Sequence, residues 1–395
     1  MSALTKDKFE NWLNPSMLTW ARNWRGMSIE DVASKFKKTP EQIVAWETNQ
    51  ATPTVKQTRK LAKIYQRSFM EFFLKQPPKL SQIKAIPDFR LHKDIFNASR
   101  NREVELIIEW AIAHRHSALD LFSELGEKPI HIPKNLFFSL KTSTEEAAEA
   151  ARRIVNFQES EQFSLKKAEA YKLPMLIRKK LESVGILTLK ESKLKSYGIR
   201  GFCIAEFPLP VIVIGNEAPT AQAFTIVHEF AHISLKAGGV SGPRNREYNQ
   251  VPEERWCDRF AAAFLMPKNI LVKAYKTVPK KPMGVISDED LENLASMFNV
   301  SPQAMLIRLV HLKYVKADYY WNNKKVQFDE LDSNYKSFGR SKYYGSRFQS
   351  KNGELYTNLV IEAWSSGRIT NHNAAQYMGI KNLRHLYDIR ENLGT

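Results

Sequence analysis

The sequence has few cysteines and no long apolar run. Its 395 residues include two cysteines, Cys203 and Cys257, which lie far apart and outside any CxxC pattern. A disulfide framework and a thiolate zinc cluster are therefore not expected, and a reducing, cytoplasmic setting fits best. No apolar run approaches the ~18 residues that span a bilayer, and the N-terminal segment lacks the apolar core of a signal peptide. We expect a cytoplasmic protein with no membrane partner.

Positive charge is in excess along the chain. The sequence has 59 Lys and Arg residues against 42 Asp and Glu residues, a net charge of +17. Such a balance favours anionic partners such as nucleic acid, although solubility alone also accounts for a basic surface. The 43% apolar content is enough to bury full cores. At roughly 100 to 200 residues per domain, about two to four domains are expected.

The pattern of the chain changes several times. Short helices with tight turns come first, prolines then break the periodicity, and helical spacing returns before a stretch of short strands. The predicted segments are a helical head (1–75), a linker (76–95), a helical region (96–170), an α+β core (171–315) and a helical C-terminal region (316–395). Within the last segment, residues 318–351 are polar and aromatic with weak periodicity, which predicts loops. The predicted fold class is multidomain and mainly α.

Two helices of the α+β core follow its predicted strands GILTL, FCIAEF and PVIVIG. The first opens at Thr220 and should end at Gly238 and Gly239, because glycine adopts the left-handed cap conformation at little cost. The second runs from Pro252 to Pro267. A helical pair follows, for which Ser287 and Ser301 are the predicted N-caps.

The first of these helices carries an HExxH motif. His228 and His232 are four residues apart, so they share one face of the helix and both can reach a single metal ion. Zinc held by two imidazoles and a third ligand keeps one position for water, and a carboxylate is needed to take the proton from that water. Glu229 is placed for this role. The alternative is a pair of core histidines that only form hydrogen bonds.

A third ligand must come from elsewhere in the chain. The segment PEERWCDRFAAAFLMP begins twenty residues after His232 and supplies carboxylates at the start of a new helix. The candidates are Glu253 and Glu254. Helical spacing places each of them on an apolar face, so periodicity leaves both open.

At this point the sequence resembles the ImmA/IrrE family of metallopeptidases over roughly residues 86–315. Four blocks follow the order and spacing of the family: RGFCIAEFPLPVIVIGNE, FTIVHEFAHISL, EERWCDRFAAAFLMP and LASMFNVSPQAMLIRL. Four ordered blocks are much more specific than one motif. The resemblance implies a zincin-like peptidase core of α+β class between a helix-rich head and a helical tail.

The resemblance also implies roles for particular residues. His228, His232 and Glu254 would bind one Zn²⁺ per chain, and Glu229 would be the general base. Asp258 stands where the family has asparagine, and its carboxylate could accept a hydrogen bond from a ligand histidine. By similarity, the strand PVIVIGNE lines the cleft and pairs with an extended substrate, unless it is a central strand with no free edge.

The segment MSIEDVASKFKKTPEQIVAWETNQ resembles the helix-turn-helix of XRE, or Cro/cI-type, repressors. Ala33 is the small residue that lets two helices cross, and Ile43 and Trp46 anchor the second, recognition helix. The resemblance implies DNA-contacting roles for Lys38, Thr39, Pro40, Glu41, Gln42 and Ala45. Two departures are Asn49, at a turn position where glycine is common, and Glu41, whose negative charge would face DNA.

Residues 1–75 carry 13 Lys and Arg residues against 7 Asp and Glu residues, a net charge of +6. This charge is enough for contact with DNA phosphates. The alternative is a repressor-like head used for protein contact or dimerisation. The resemblance also implies a homodimer, because repressor heads of this type usually pair on palindromic sites.

These resemblances imply a site-specific zinc endopeptidase that cleaves a regulatory protein and so derepresses stress, mobile-element or defence genes. The substrate would be a separate XRE-type repressor or the linker of the chain itself. The alternative is a DNA-binding transcription regulator, or a toxin-antitoxin or anti-phage component, whose peptidase domain acts as a sensor. The intact HExxH motif argues against that alternative, because a decayed enzyme would be expected to lose one of its site residues.

Overall fold

The computed structural model describes residues 13–65, 67, 69–76, 98–236, 239–241, 251–279, 284–333 and 344–393. These residues form two compact units, and the boundary falls between residues 107 and 108. The predicted linker 76–95 lies outside the described residues except for Gln76. None of the described helices is long and apolar enough to cross a bilayer.

The first unit is built from short helices. They are α1 (Pro15–Trp24), α2 (Ile29–Phe36), α3 (Pro40–Glu47) and α4 (Val55–Tyr65), followed by a 3-10 helix (Phe69–Phe73). The Ser28 hydroxyl accepts the Asp31 N–H at 3.0 Å and the Asp31 carboxylate accepts the Ser28 N–H at 3.1 Å. This reciprocal capping box sets the start of α2. Asn49 has a φ of 62°, in agreement with the prediction that it adopts the conformation usual for glycine.

A half-buried ion pair joins α1 to α3. The Arg22 guanidinium donates to both carboxylate oxygens of Glu47, at 2.7 and 2.8 Å. Val32, Ala33, Ile43 and Trp46 contribute to the apolar core of this unit. The small Ala33 side chain is fully packed where α2 meets α3, as the helix-turn-helix resemblance implies.

The second unit begins within α5 (Ala98–Leu125), which contains the boundary between the units. Three shorter helices precede the sheet: α6 (Thr144–Ile154), α7 (Glu159–Phe163) and α8 (Lys172–Glu182). Two further helices follow the first three strands, α9 (Pro219–Ser234) and α10 (Pro252–Leu265). α9 ends before Gly238, and Lys236, with a φ of 56°, takes the left-handed conformation instead of a glycine. The predicted helix end was therefore wrong by a few residues.

The sheet has four strands in the order β1-β3-β2-β4. They are β1 (Leu187–Lys190), β2 (Gly201–Ile204), β3 (Val211–Ile214) and β4 (Gly239–Ser241). β3 runs parallel to β1 and antiparallel to β2, and β4 is antiparallel to β2. Both edges of β3 are thus occupied. The expectation that this strand pairs with a substrate was wrong, and the central-strand alternative describes it.

The helices after α10 continue to the end of the described chain. They are α11 (Lys268–Tyr275), α12 (Asp288–Phe298), α13 (Pro302–His311), a π-helix (Tyr319–Lys324), α14 (Lys325–Ser333), α15 (Tyr344–Asn352), α16 (Glu354–Ser365), α17 (Asn371–Tyr377) and α18 (Arg384–Leu393). Ser287 and Ser301 accept hydrogen bonds at the starts of α12 and α13, which confirms them as N-caps.

Residues 318–351 are largely helical where they are described, so the loop prediction for this stretch was wrong. Tyr320 and Phe348 are among its few buried apolar side chains. An amphipathic pattern needs an apolar residue every three or four positions, and these helices bury too few to produce one.

A buried carboxylate holds the start of α16. Glu182, at the end of α8, accepts the backbone N–H groups of Glu354 and Leu355 at 2.8 and 2.9 Å. Gly353 precedes them with a φ of 81°, and a Cβ at this position would overlap the Glu182 carboxylate. The carboxylate thus satisfies two N–H groups that the first turn of a helix leaves unpaired.

Arg178, one turn earlier on α8, joins the end of α15 to β1. Its guanidinium donates to the carbonyl oxygen of Ser350 at 2.6 Å and to that of Thr188 at 2.9 Å. The N–H of Leu187 donates a hydrogen bond towards β3, so the backbone groups of Leu187 point to that side of β1. Because successive residues of a strand point their backbone groups to opposite sides, the Thr188 carbonyl lies on the outer edge of β1. Arg178 and the turn at Gly353 therefore cover that edge.

Candidate metal centre

The two histidines of the HExxH motif lie on the buried face of α9. His228 and His232 are 4% and 1% exposed. Their Nε2 atoms are 3.2 Å apart. A turn of helix separates the two residues, so both imidazoles reach the same point beside the helix.

α10 adds a carboxylate at that point. Glu254 is 1% exposed, and its Oε2 and Oε1 atoms lie 3.2 Å from Nε2 of His228 and from Nε2 of His232, respectively. Glu253 is half-buried and takes no part in this group. The difference in burial thus favours Glu254 over Glu253, a choice that sequence periodicity left open. His228, His232 and Glu254 form a buried group that could hold a metal ion.

The spacing of these three side chains fits zinc. In tetrahedral sites with Zn–N and Zn–O bonds of about 2.0 to 2.1 Å, neighbouring ligand atoms are about 3.3 Å apart. The two Nε2 atoms are 3.2 Å apart, and each lies 3.2 Å from a different oxygen of Glu254. The residues present therefore have the ligand types that zinc requires, and the separation of the two imidazole nitrogens suits binding to one ion.

Asp258 contacts one of the two imidazoles on the side away from Glu254. Its Oδ1 lies 3.0 Å from Nδ1 of His228. A proton on Nδ1 makes that hydrogen bond and leaves a lone pair on Nε2, which faces the Glu254 carboxylate. Two electron-rich atoms at this distance repel each other unless a cation lies between them. The structure thus places Asp258 in contact with His228, the contact that the sequence suggested.

Protonation of the two imidazoles on Nε2 would favour the charged form of Glu254. Burial acts to raise the pKa of Glu254, but hydrogen bonds donated by His228 and His232 in that protonated form outweigh burial and hold the pKa well below its usual range. Burial, together with the nearby Glu254 and Glu229 carboxylates, raises the pKa of the Cys257 thiol. Cys257 is therefore a neutral, buried thiol, and it lies outside the group formed by His228, His232 and Glu254.

The general-base candidate lies where β2 meets α9. Glu229 is fully buried. Gly201 opens β2 beside it, and a Cβ on Gly201 would lie 3.5 Å from Cγ of Glu229 and 2.7 Å from Cγ2 of Thr225. The sequence analysis did not single out Gly201. An isolated glycine in a strand is a signal of close approach, which could have identified it.

Substitution of Gly201 should disturb this contact. We expect Gly201→Ala to lower the stability of the peptidase unit by about 1 to 3 kcal/mol, because overpacking forces backbone shifts. The new Cβ would lie 2.9 Å from the backbone oxygen of Val213, which cannot rotate away. Thermal unfolding of the full chain measures the loss. Adding Thr225→Ser removes one of the clashing methyl groups and should restore part of the stability. No loss in the single variant would contradict the packing argument.

A polar network supports the first turns of α9. Thr225 donates to Oε2 of Glu217 at 3.2 Å, and Gln222 donates to the Glu217 carbonyl at 2.6 Å. Arg200, just before β2, lies 3.5 Å from Oε1 of Glu217. The network ties the sheet to the helix one turn before Glu229. It was not predicted, because its residues follow no common motif.

The predicted DNA-contacting residues lie along the start of α3 in the first unit. Thr39 is the N-cap residue of the helix, and its N–H is bonded to the Gln42 side chain at 3.3 Å. Thr39, Glu41 and Gln42 are exposed, whereas Lys38, Pro40 and Ala45 are half-buried. The Lys38 ammonium lies 5.6 Å from the Trp46 ring centroid. Hydrogen bonds from Thr39 and the backbone lower the pKa of Glu41, so it stays charged.

Comparison with known families agrees with this architecture. Residues 181–310 match the model of the IrrE N-terminal-like domain, a metallopeptidase family, and residues 18–72 match a helix-turn-helix model. The chain thus has a segment that matches a peptidase domain of the ImmA/IrrE family and a segment that matches an XRE-type helix-turn-helix. The first resemblance is confirmed over residues 181–310 and the second over residues 18–72. Searches of curated proteins and of solved structures gave no significant match.

Proposed function

We propose that this protein is a zinc-dependent, site-specific endopeptidase. The observation that carries the proposal is the convergence of His228, His232 and Glu254 in one buried group that could hold a metal ion, with Glu229 buried on the same helix. The family of the matched domain supports it, since that family is one of metallopeptidases.

Each side chain then has a distinct task. His228, His232 and Glu254 would be the ligands of one zinc ion per chain. Bound zinc would lower the pKa of a coordinated water towards about 7 and polarise the scissile carbonyl. The Glu229 carboxylate accepts the proton of the attacking water and returns it to the leaving amine. Asp258 holds His228 in the tautomer that leaves Nε2 free to bind.

The partner proposed for this activity is a regulatory protein of the XRE-repressor type. The helix-turn-helix domain in the same chain supports a regulatory setting, because domains of this type contact DNA. DNA contact would use the exposed start of α3, including Thr39 and Gln42. A head that pairs on a palindromic site would make the protein a homodimer.

Zinc content tests the metal site directly. We expect about one zinc per chain in the wild type and a loss of at least about tenfold in metal affinity in His232→Ala and Glu254→Ala, because each removes one of three ligands. Proteins purified identically without added metal are measured by elemental analysis.

The neighbouring glutamate supplies the control. Glu253→Ala removes the same chemical group one position earlier in α10 and should keep the zinc. Equal zinc contents in Glu253→Ala and Glu254→Ala would contradict the assignment of the third ligand. A wild type that takes up no zinc when it is supplied would favour the second candidate, a transcription regulator that acts through its helix-turn-helix domain.

A further inference from the structure

A groove in the second unit lies between α6 and α11. It has a volume of about 1010 Å³ and is lined by residues of α6, of the start of α7, and of the segment from the end of α10 through α11. Small-molecule pockets usually have volumes of about 300 to 1000 Å³, so the groove has room for such a ligand. None of the residues proposed for zinc chemistry lines it. The groove is therefore separate from the metal group.

Arg152 is the buried cation of this groove. It lines the groove and is 6% exposed. Its Nη1 atom donates to Oε1 of Gln162 at 2.8 Å and to the carbonyl oxygen of Phe264 at 2.7 Å. The buried Nη2 atom has no hydrogen-bond partner within the described parts of the chain. Because an unpaired buried donor costs stability, a ligand with acceptor oxygens would be stabilised here.

The guanidinium of Arg152 is held against two aromatic rings. Its Cζ atom lies 4.3 Å from the ring centroid of Phe157 and 5.4 Å from that of Phe264, and these rings are stacked. Aromatic faces attract a cation but carry no net charge. Burial lowers the pKa of Arg152 to about 10, and the attraction of Glu159 and Glu161 opposes only part of this effect. The fixed guanidinium therefore lacks a full counter-charge.

A second helix adds three lysines to the groove. Lys268, Lys273 and Lys276 line it and are exposed, and among the described residues none of the three forms an ion pair. Residues 268–276 include no acidic side chain. Eight residues separate the first lysine from the last, which corresponds to about 12 Å along a helix. The positive charges therefore extend along the groove instead of meeting at one point.

Most acidic side chains of the groove already have cationic partners. Glu145 accepts two hydrogen bonds from Arg308, at 2.6 and 2.8 Å. Glu149 lies 4.0 Å from Arg153. In the part of the chain that the structure describes, Glu159 is the one acidic lining residue without an ion pair. Four cations thus outnumber one available carboxylate, so the groove attracts an anion.

We propose that this groove binds a small molecule that carries a chain of phosphate groups. Lys268, Lys273 and Lys276 contact the phosphate oxygens, and Arg152 supplies the buried positive charge beside them. Lysine and arginine are the side chains that bind phosphate in proteins. A chain of phosphates spreads several negative charges along the row of lysines, whereas a single phosphate reaches fewer of them. This proposal is independent of the peptidase chemistry.

The test is calorimetric binding of ATP and of inorganic tripolyphosphate to the full, zinc-loaded chain. Excess Mg²⁺ occupies the phosphates of the probe, and zinc content measured before and after shows that the metal stays bound. We expect both probes to bind, and AMP to bind at least about tenfold more weakly because it has a single phosphate. Equal affinities for ATP and tripolyphosphate would show that the phosphate chain alone is recognised. Tighter binding of ATP would show that the nucleoside adds contacts.

A double variant of the exposed lysines locates the binding site. Lys268→Glu/Lys273→Glu should bind tripolyphosphate at least about tenfold more weakly than the wild type, which corresponds to the loss of one charge-assisted hydrogen bond. Arg152 is left unchanged, because it also holds the Phe264 carbonyl in the core. Lys134→Glu/Lys381→Glu is the matched control, since both lysines are exposed, lie outside the groove and change the net charge equally. The control should bind within about twofold of the wild type.

Circular dichroism and zinc content show whether the variants are folded, and both should be unchanged because the substituted side chains are exposed. Equal affinities of the two double variants would overturn the proposal, as would a wild type that binds neither ATP nor tripolyphosphate. Tighter binding of a hexaglutamate peptide than of ATP would also overturn it and would identify an acidic protein segment as the occupant of the groove.

Discussion

Glu229→Gln should keep its zinc and lose its peptidase activity by about 10² to 10⁴-fold, which is the usual contribution of a positioned general base. Glutamine has nearly the same shape as glutamate but cannot accept the proton of the attacking water. Glu229 is fully buried and lies beside the close contact of β2 with α9. The substitution must therefore keep the shape of the side chain, so that a loss of activity reflects the lost base and not a disturbed core.

The measurement is the quantity of new protein N-termini in cells that express the wild type or the variant, determined by mass spectrometry. Helix-turn-helix proteins and the segment 76–95 of the chain itself are the expected substrates. Glu253→Ala serves again as the control, because it lies outside the metal group and should cleave normally. A Glu229→Gln protein that binds zinc and cleaves as fast as the wild type would contradict the proposed mechanism.

Glu182→Ala should destabilise the C-terminal helices by about 3 to 5 kcal/mol, because it leaves a buried charge without its partner. The Glu182 carboxylate accepts two N–H groups at the start of α16 and also the Thr188 hydroxyl. Burial raises the pKa of Glu182, and the attraction of Arg178 opposes that rise. Without the carboxylate, the Arg178 guanidinium would remain buried beside the outer edge of β1.

Hydrogen exchange at residues 344–365 reports this loss locally. The Glu354 and Leu355 amides should exchange faster by a factor that corresponds to the lost stability, about 10² or more. The matched control is Lys179→Ala on the same helix, which breaks an exposed pair with Glu354 at 3.0 Å. Such pairs contribute at most about 1 kcal/mol. Equal exchange in the two variants would contradict the structural role of Glu182.

The covered edge of β1 bears on how a peptide could reach the metal group. With β1 covered and β3 central, β4 is the remaining outer strand among the described residues. β4 pairs with β2, so that Ser241 lies opposite Gly201, the residue that packs against Glu229. A peptide substrate that pairs with β4 as an added strand would therefore bind at the edge of the sheet nearest Gly201 and the proposed base, Glu229.

Local spacing in the sequence was enough to predict several features of this protein. The four-residue interval between His228 and His232 places both imidazoles on one helix face whatever surrounds the helix. The N-caps Ser287 and Ser301 and the left-handed Asn49 depend on contacts within a few residues. For this reason they were predicted correctly without any knowledge of the fold.

Tertiary packing decided the rest. Glu253 and Glu254 are chemically identical neighbours, and only the packing of α10 against α9 buries one of them beside the histidines. The central position of β3 and the cover over β1 depend on partners that are distant in sequence. Helical structure in residues 319–333 and 344–352 was missed because few of these side chains are buried. Spacing along the chain determines which residues share a face of a helix or strand. Which of these faces becomes buried depends on segments that meet only in the folded protein.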